Sequence, residues 1–312
     1  MKSQWKVVGA TTVVMAVLAL SAVALGNPVT CVVVYGDSLS DNGNLYGASG
    51  QPGWPYYMGR RSDGPVAVEY LASVLGVPLI DFAWIGATTG VGNYADGGTT
   101  TSFGSLPLPG MLTMFNSTKG MLGPYTGGLF VVWGGPNDFL APSPLDTTPG
   151  AMIARSVGDL LTIVTGLQIF GATNILVPGM PDVGLTPYLQ SLGPAAAAQA
   201  SAFTDAFNAA LAGSLPAGVS YFDTASLVRS MVANPSAYGL TNVTDPCFDG
   251  STVCGDPNQY LFFDSFHPTT AASAILADGF AAAVPEPGTL VLVAAGLGAI
   301  GVARRVRSRR RT

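Results

Sequence analysis

The segment that decides the fold is Val32–Asn44, with the sequence VVVYGDSLSDNGN. Its apolar start is typical of a buried strand of a parallel sheet, because such strands are covered on both faces. Its polar, glycine-containing end is typical of a loop. In an open parallel sheet, ligands bind beyond the carboxyl ends of the strands. Ser38 therefore lies where a nucleophile would be placed.

The net charge of −5 hides a strong asymmetry along the 312 residues of the chain. Six arginines lie in the last nine residues, whereas residues 27–284 contain five basic residues against 17 acidic ones. Such an acidic body repels a phosphate backbone, so the sequence predicts no nucleic-acid partner. No repeat or linker divides residues 27–284, which favours one large domain there.

The N-terminus predicts a secretory signal peptide over residues 1–26. Lys2 and Lys6 precede an apolar run over residues 7–25, and Ala22–Ala24 offers a small-residue cleavage site. An uncleaved membrane anchor is the alternative.

The C-terminal segment, residues 285–312, has three parts in a fixed order. A Pro-Glu-Pro sequence at residues 285–287 is followed by a charge-free run to Ala303 and then by the arginine cluster. As a helix the run is about 25 Å long, the short end of what crosses a bilayer. Arginines directly after such a run mark its cytoplasmic side.

These three parts resemble the PEP-CTERM sorting signal of Gram-negative bacteria. The resemblance implies export and recognition by an exosortase-type sorting protease. It also implies a transient membrane contact through the C-terminal helix, with membrane tethering before sorting. The expected location is the cell surface or the extracellular space.

Short apolar runs alternate with longer segments of helical spacing through the rest of the chain. The predicted strands after the first one are 77–82, 128–133, 174–177 and 219–222. The predicted helices are 66–75, 109–121, 149–170, 195–211, one from residue 224, and 269–282. This alternation predicts a parallel sheet that is covered by helices on both faces.

His267 is the only histidine in the chain, so any histidine base must be this residue. A multi-histidine metal site is excluded, no Cys-x-x-Cys pair replaces one, and the sequence predicts no metal or cofactor. Asp264 lies three residues before His267, on the same face of a turn. A carboxylate there can accept the Nδ1–H of the imidazole and leave Nε2 free to take a proton.

Taken in order, four motifs resemble those of the GDSL esterase/lipase family, the SGNH hydrolases. They are Gly36–Asn44, Gly86 before Ala87-Thr88, Gly135–Asp138 and Asp264–His267. The resemblance implies a flavodoxin-like three-layer α/β/α sandwich with a five-stranded parallel sheet, the SGNH hydrolase fold. No Gly-x-Ser-x-Gly elbow occurs in the chain, which argues against the α/β-hydrolase fold.

The resemblance also assigns roles to five residues. It implies that Ser38 is the nucleophile and that His267 and Asp264 complete a catalytic triad. The backbone N–H groups of Ser38 and Gly86 and the amide of Asn137 are then the donors of an oxyanion hole. Many members have Gly-Gly in the second motif where this chain has Ile85-Gly86; the donor glycine remains, and we expect only a local change of shape.

The remaining polar residues have simpler interpretations. Cys247 and Cys254 are favoured as a disulfide over free thiols, because they lie in one loop and export is expected to bring the chain into an oxidising compartment. Cys31 is expected to be a small buried apolar residue. Asp37 and Asp41 are expected to accept loop hydrogen bonds rather than to form a metal-binding carboxylate pair.

Four residues near the motifs are given structural or alternative roles. Asp138 is expected to be a structural loop partner rather than a second acid. Trp54, Tyr56 and Tyr57 either line a substrate cleft or are half-buried loop aromatics.

The sequence thus predicts an exported serine esterase or lipase that acts through an acyl-enzyme on Ser38. The expected substrate is an ester: a lipid, a small ester or an acetylated polysaccharide. One alternative is an exopolysaccharide deacetylase that uses the same residues. The other is a non-catalytic surface or matrix protein on the same fold, which predicts at least one broken motif, whereas all four are intact.

Overall fold

The structure, a computed structural model, describes residues 29–96, 102–103 and 106–284. The predicted signal peptide, the Pro-Glu-Pro sequence, the apolar run and the arginine cluster lie outside the described residues.

The strands and helices are named in chain order. The strands are β1 (Val32–Gly36), β2 (Leu79–Asp81), β3 (Ser102–Phe103), β4 (Leu106–Pro107), β5 (Leu129–Trp133), β6 (Asn174–Pro178), β7 (Val219–Phe222), β8 (Asn242–Pro246) and β9 (Tyr260–Phe262). The helices are α1 (Asn44–Ser49), α2 (Ala67–Leu75), α3 (Met111–Thr118), α4 (Pro136–Leu140), α5 (Pro149–Ile169), α6 (Pro187–Ser191), α7 (Pro194–Ser214), α8 (Thr224–Ala233) and α9 (Thr270–Ala283).

A five-stranded sheet forms the middle layer, with the strand order β2-β1-β5-β6-β7. All four pairings are parallel. Counted within this sheet alone, the order is 2-1-3-4-5, the flavodoxin-like order of doubly wound folds. The prediction of a three-layer α/β/α sandwich with a five-stranded parallel sheet is confirmed. β3 pairs with β4, and β8 with β9, in two small separate sheets.

Successive side chains of β1 point to opposite faces of the sheet, and the core consists of two clusters, one on each face. Val33 and Tyr35 pack with buried residues of α3, α5 and α7 on one face of the sheet. Val32 and Val34 pack with buried residues of α2, α8 and α9 on the other face. Because both faces are covered, β1 and β5 are buried at every position, which explains their unbroken apolar sequences.

The helices begin at side chains that accept from their first free N–H groups. The hydroxyl oxygens of Thr148 and Thr269 accept from the third residue of α5 and α9, respectively. The carboxylate of Asp223 does the same for α8. Such caps stabilise a helix by about 1 kcal/mol each.

α5 is long and apolar enough to cross a membrane by length and composition alone. Its apolar stripe, which includes Leu160, Ile163, Val164 and Leu167, is instead fully buried in the core cluster on one face of the sheet. We therefore interpret α5 as a core helix of the sandwich.

Candidate active site

Three side chains meet beyond the carboxyl end of β1, where the loop before α9 approaches it. The hydroxyl oxygen of Ser38 lies 2.8 Å from Nε2 of His267. Nδ1 of His267 lies 2.8 Å from Oδ1 of Asp264 and 2.9 Å from Oδ2. This chain of contacts runs from a hydroxyl through an imidazole to a carboxylate, so the imidazole is placed to take the proton of the hydroxyl.

The turn Asp264–His267 is organised by its own first side chain. Oδ1 of Asp264 accepts hydrogen bonds from the backbone N–H groups of Phe266 and His267, at 2.9 and 2.8 Å. Burial works against the charged form of Asp264, but the charge of His267 and these hydrogen bonds together hold the pKa of the carboxyl below its usual range. Asp264 therefore remains a carboxylate facing the imidazole.

The three donors predicted for the oxyanion hole belong to residues that line the cleft. The backbone N–H groups of Ser38 and Gly86 donate to no acceptor among the residues that the structure describes. Nδ2 of Asn137 donates to the carbonyl oxygen of Ala87 at 3.0 Å and makes a long contact of 3.4 Å with Oδ2 of Asp37. All three residues line the same cleft as His267, and the two backbone N–H groups among them have no acceptor in the described part of the chain.

The loop that carries Gly86 is held by side chains from two neighbouring segments. Oδ2 of Asp41 accepts from the N–H of Ile85 at 2.8 Å, and Nδ2 of Asn93 donates to the carbonyl oxygen of Ile85 at 2.9 Å. Gly86 has a φ of +78°, and a Cβ atom there would collide with Oδ1 of Asn93. A glycine is therefore required at this position for conformational and for steric reasons.

Asp37 is a buried carboxyl group directly before the serine. Its Oδ1 accepts from the N–H of Leu39 at 2.9 Å, and its Oδ2 faces Asn137. Burial raises the pKa of Asp37 to about 7, against the opposing effects of the Leu39 hydrogen bond and of the His267 charge. Asp37 thus links the strand end to the amide that faces the cleft.

The cleft around these groups has a volume of about 390 Å³. Its walls contain many apolar side chains, among them Leu39, Ile85, Leu140, Leu189 and Phe248. This size and this mixture of an apolar lining with a few convergent polar groups are typical of small-molecule sites.

The comparison with known families agrees with this geometry. The model of the family described as GDSL-like Lipase/Acylhydrolase matches residues 32–280. The chain belongs to this GDSL family. A second model, that of the PEP-CTERM protein-sorting motif, matches residues 283–310. Both resemblances predicted from the sequence are confirmed.

The chain has curated relatives within the GDSL family. It is 30% identical to the esterase EstA of Pseudomonas aeruginosa, over 89% of this chain and 50% of that protein. It is 28% identical to a GDSL esterase/lipase of Arabidopsis thaliana, over 80% of each chain. The chain thus spans about half the length of the Pseudomonas relative.

Similar solved structures include two esterases. An esterase from Pseudoalteromonas sp. is 15% identical over 81% of this chain and 96% of that chain, with a TM-score of 0.41. An acetyl xylan esterase is 12% identical over 80% of this chain and 96% of that chain, with a TM-score of 0.44.

The structure brings the five predicted site residues of this GDSL protein together. Ser38, Gly86, Asn137, Asp264 and His267 line one cleft, although they come from four separate segments. Their catalytic roles remain predictions.

The three cysteines and Asp41 have structural roles. Cys247 and Cys254 are joined by a disulfide of 2.00 Å, and Cys31 is buried and free. Oδ1 of Asp41 accepts from the N–H groups of Gly43 and Asn44, so this carboxylate closes a loop and begins α1. Asp41 therefore has the loop role that the sequence indicated.

Asp138 also contacts loop partners. Its carboxylate accepts from the backbone and the hydroxyl of Thr89, each at 2.9 Å, and pairs with Arg155 at 3.0 Å. Asp138 is absent from the cleft lining, and these contacts fit the structural role expected of it.

The three aromatic residues of the loop between α1 and α2 differ from one another. Trp54 is 83% exposed and Tyr57 is 42% exposed, and neither lines the cleft. Tyr56 does line it, and its hydroxyl donates to Oδ2 of Asp264 at 2.9 Å. Sequence reasoning missed this contact, because 208 positions separate the two residues and no motif joins them.

Proposed function

We propose that this GDSL protein is an exported serine hydrolase that cleaves carboxylic esters. In this proposal Ser38 is the nucleophile, His267 is the general base and acid, and Asp264 orients His267. The observation that carries the proposal is the unbroken contact from Ser38 through His267 to Asp264, within a cleft that Gly86 and Asn137 also line. Family membership supports ester hydrolysis as the reaction class.

The first half of the reaction forms an acyl-enzyme. A serine hydroxyl is a weak nucleophile until a base accepts its proton. Oγ of Ser38 attacks the ester carbonyl carbon while Nε2 of His267 takes the hydroxyl proton. The tetrahedral intermediate then collapses: the bond to the alcohol oxygen breaks, and His267 returns its proton to that oxygen. The alcohol leaves, and the acyl group stays on Ser38.

The second half repeats these steps with water. Nε2 of His267 accepts a proton from water as its oxygen attacks the acyl carbon. Collapse of the second intermediate breaks the bond to Oγ of Ser38, which regains its proton from His267. The carboxylic acid leaves, and the enzyme returns to its starting state.

The donors around Ser38 act on the charge that develops in both intermediates. The former carbonyl oxygen becomes negative, and in this proposal it accepts from the N–H groups of Ser38 and Gly86 and from the amide of Asn137. Preorganised donors stabilise this charge more strongly than water does, because they need no reorganisation. Asp264 stabilises the imidazolium that forms at the same moment.

The targeting segments extend the proposal to location. We assign residues 1–26 to a signal peptide, residues 27–284 to the hydrolase domain and residues 285–312 to the sorting signal, which the family match at residues 283–310 supports. An exosortase-type protease is then the processing partner, and the C-terminal helix gives transient membrane contact. The protein acts at the surface of a Gram-negative cell or outside it.

The test is hydrolysis of p-nitrophenyl acetate, butyrate and longer esters, beside release of acetate from acetylated polysaccharide. The parent protein is compared with Ser38→Ala and His267→Ala, and Ser40→Ala serves as the matched serine control outside the cleft lining. We expect hydrolysis by the parent and by Ser40→Ala, and loss in the other two variants. Undiminished activity of Ser38→Ala contradicts the mechanism.

The substrate series separates the remaining possibilities. Activity on acetylated polysaccharide alone identifies a deacetylase that uses the same residues. A folded parent without activity on any of these esters supports the non-catalytic surface protein instead.

A further inference from the structure

Tyr56 contacts the triad from outside the turn that contains Asp264. Its hydroxyl donates to Oδ2 at 2.9 Å, whereas the two backbone N–H donors of the turn both bond to Oδ1. In the described part of the chain, Tyr56 is the one donor to this carboxylate that is supplied by another segment. Its hydrogen bond therefore reaches the oxygen that accepts no backbone N–H of the turn.

The ring of Tyr56 is held from several sides. It meets the rings of Phe248 and Phe263 edge-on, with centroid distances of 5.9 and 5.6 Å. The guanidinium carbon of Arg61 lies 4.9 Å from the ring centroid on a third side. Phe248 directly follows Cys247, so the disulfide to Cys254 anchors part of this packing. A ring packed in this way aims its hydroxyl at one point.

Tyr56 is suited to remain a donor. Burial and the nearby charge of Asp264 raise the pKa of Tyr56 to about 12. The phenol therefore keeps its proton throughout the pH range in which an imidazole acts as a base.

We propose that Tyr56 is a positioning residue that holds the Asp264 carboxylate in the plane of the His267 ring, an inference that rests on the proposed function. Both carboxylate oxygens lie within 2.9 Å of Nδ1. The turn alone thus does not select one oxygen for the imidazole. The two backbone N–H groups of the turn already occupy Oδ1, and the tyrosine hydroxyl fixes Oδ2 with one lone pair left to accept Nδ1–H while the proton moves between Ser38 and His267.

Several charged groups surround this pair. Asp37 acts on His267 from the end of β1, and Arg61 stacks on Tyr56 from its own loop. Asp182 and Asp249 line the same cleft from two further segments. These groups are unchanged when only the tyrosine hydroxyl is removed, so a difference between variants reports on that hydroxyl.

The test replaces Tyr56 by phenylalanine, which keeps the packed ring and removes the donor. The control is Tyr57→Phe, because Tyr57 is the neighbouring tyrosine and Arg60 stacks on it at 5.7 Å in a similar way. The hydroxyl of Tyr57 donates to no acceptor in the ranges that the structure describes. Both variants are made in the full chain and assayed on the p-nitrophenyl ester that the parent hydrolyses best.

We expect Tyr56→Phe to lower kcat by about tenfold to a hundredfold, since hydrogen bonds to charged groups have this strength, with little change in KM. Without the donor, negative charge is concentrated on the oxygen that faces the imidazolium. The imidazole therefore holds its proton more strongly, and the acid limb of the pH–rate profile moves to higher pH. Tyr57→Phe should match the parent in all three measurements.

A spectroscopic measurement tests the same contact without activity. Because His267 is the only histidine, its Nδ1 proton gives one assignable downfield NMR signal. We expect this signal to move in Tyr56→Phe and to stay in place in Tyr57→Phe. A Tyr56→Phe protein with the kcat, acid limb and NMR signal of the parent overturns the inference. If Ser38→Ala keeps its activity, the proposed function fails instead, and the NMR signal still decides the role of Tyr56.

Discussion

The hydroxyl of Ser38 lies 2.8 Å from Nε2 of His267, although 229 positions separate the two residues in the chain. Ser38 follows β1 directly, and His267 comes shortly before α9. The contact therefore exists only when the first strand and the last helix are packed together. Changes in activity at this site must be measured beside the stability of the fold.

Asn137 offers a direct test of the oxyanion hole. We expect Asn137→Ala to lower kcat by about 10²–10³, the usual effect of losing one such donor. The control is Asn116→Ala, because the amide of Asn116 is exposed and pairs only with Lys119 among the described residues. A kcat equal to that of the parent in folded Asn137→Ala removes this amide from the hole.

Gly86 and Gly76 form a matched pair for testing the loop that carries the proposed second oxyanion donor. Both have positive φ angles, +78° and +67°, but a Cβ at Gly76 meets nothing within 4 Å. We expect Gly76→Ala to cost about 1 kcal/mol of unfolding free energy and to leave kcat unchanged. Gly86→Ala has the same backbone cost, displaces Asn93 and lowers kcat as well. Equal kcat values in the two variants, measured beside urea unfolding, contradict this role of Gly86.

Asp37 predicts a pH dependence of stability. Its pKa is raised from 3.8 to about 7 by burial in the folded protein. Between pH 3.8 and pH 7 the folded state holds a proton that the unfolded state has released. The contribution of Asp37 to the free energy of unfolding is therefore complete below pH 4 and is lost as the pH rises through 7. Between pH 5 and pH 7 the contribution of Asp37 to the free energy of unfolding falls by about 2 kcal/mol.

The measurement for Asp37 compares the urea unfolding of the parent with that of Asp37→Asn at pH 5 and at pH 7. The other buried carboxyl groups titrate in both proteins, so the difference isolates Asp37. We expect the asparagine variant to gain stability relative to the parent as the pH rises. A constant difference between the two proteins shows that Asp37 does not titrate in this range.

The sandwich and the motifs were predictable because local sequence decides them. β1 and β5 are unbroken apolar runs that end in the motif loops, so their burial and the position of Ser38 follow from composition. The strand predicted over residues 219–222 matches β7 without a shift. Helix ends differ by a few residues, as in the helix predicted over 195–211, which is observed as Pro194–Ser214.

The elements that were not predicted depend on contacts between distant segments or are very short. The segment Asn44–Ser49 contains Gly47 and has weak helical signals, yet it forms α1 because Asp41 accepts from its first N–H groups. α4 and α6 have five residues each, too few for an apolar period to be visible. The contact between Tyr56 and Asp264 joins two loops, and its existence depends on the packing of the rings around it.

The most direct test of the account is covalent trapping of the nucleophile. The purified protein is treated with a fluorophosphonate, and the modified peptide is located by mass spectrometry beside Ser38→Ala and His267→Ala. We predict a single adduct on Oγ of Ser38, absent in the first variant and formed far more slowly in the second, because the imidazole activates the hydroxyl. An ester-hydrolysing protein that is inactivated by the reagent while Ser38 stays unmodified contradicts the account.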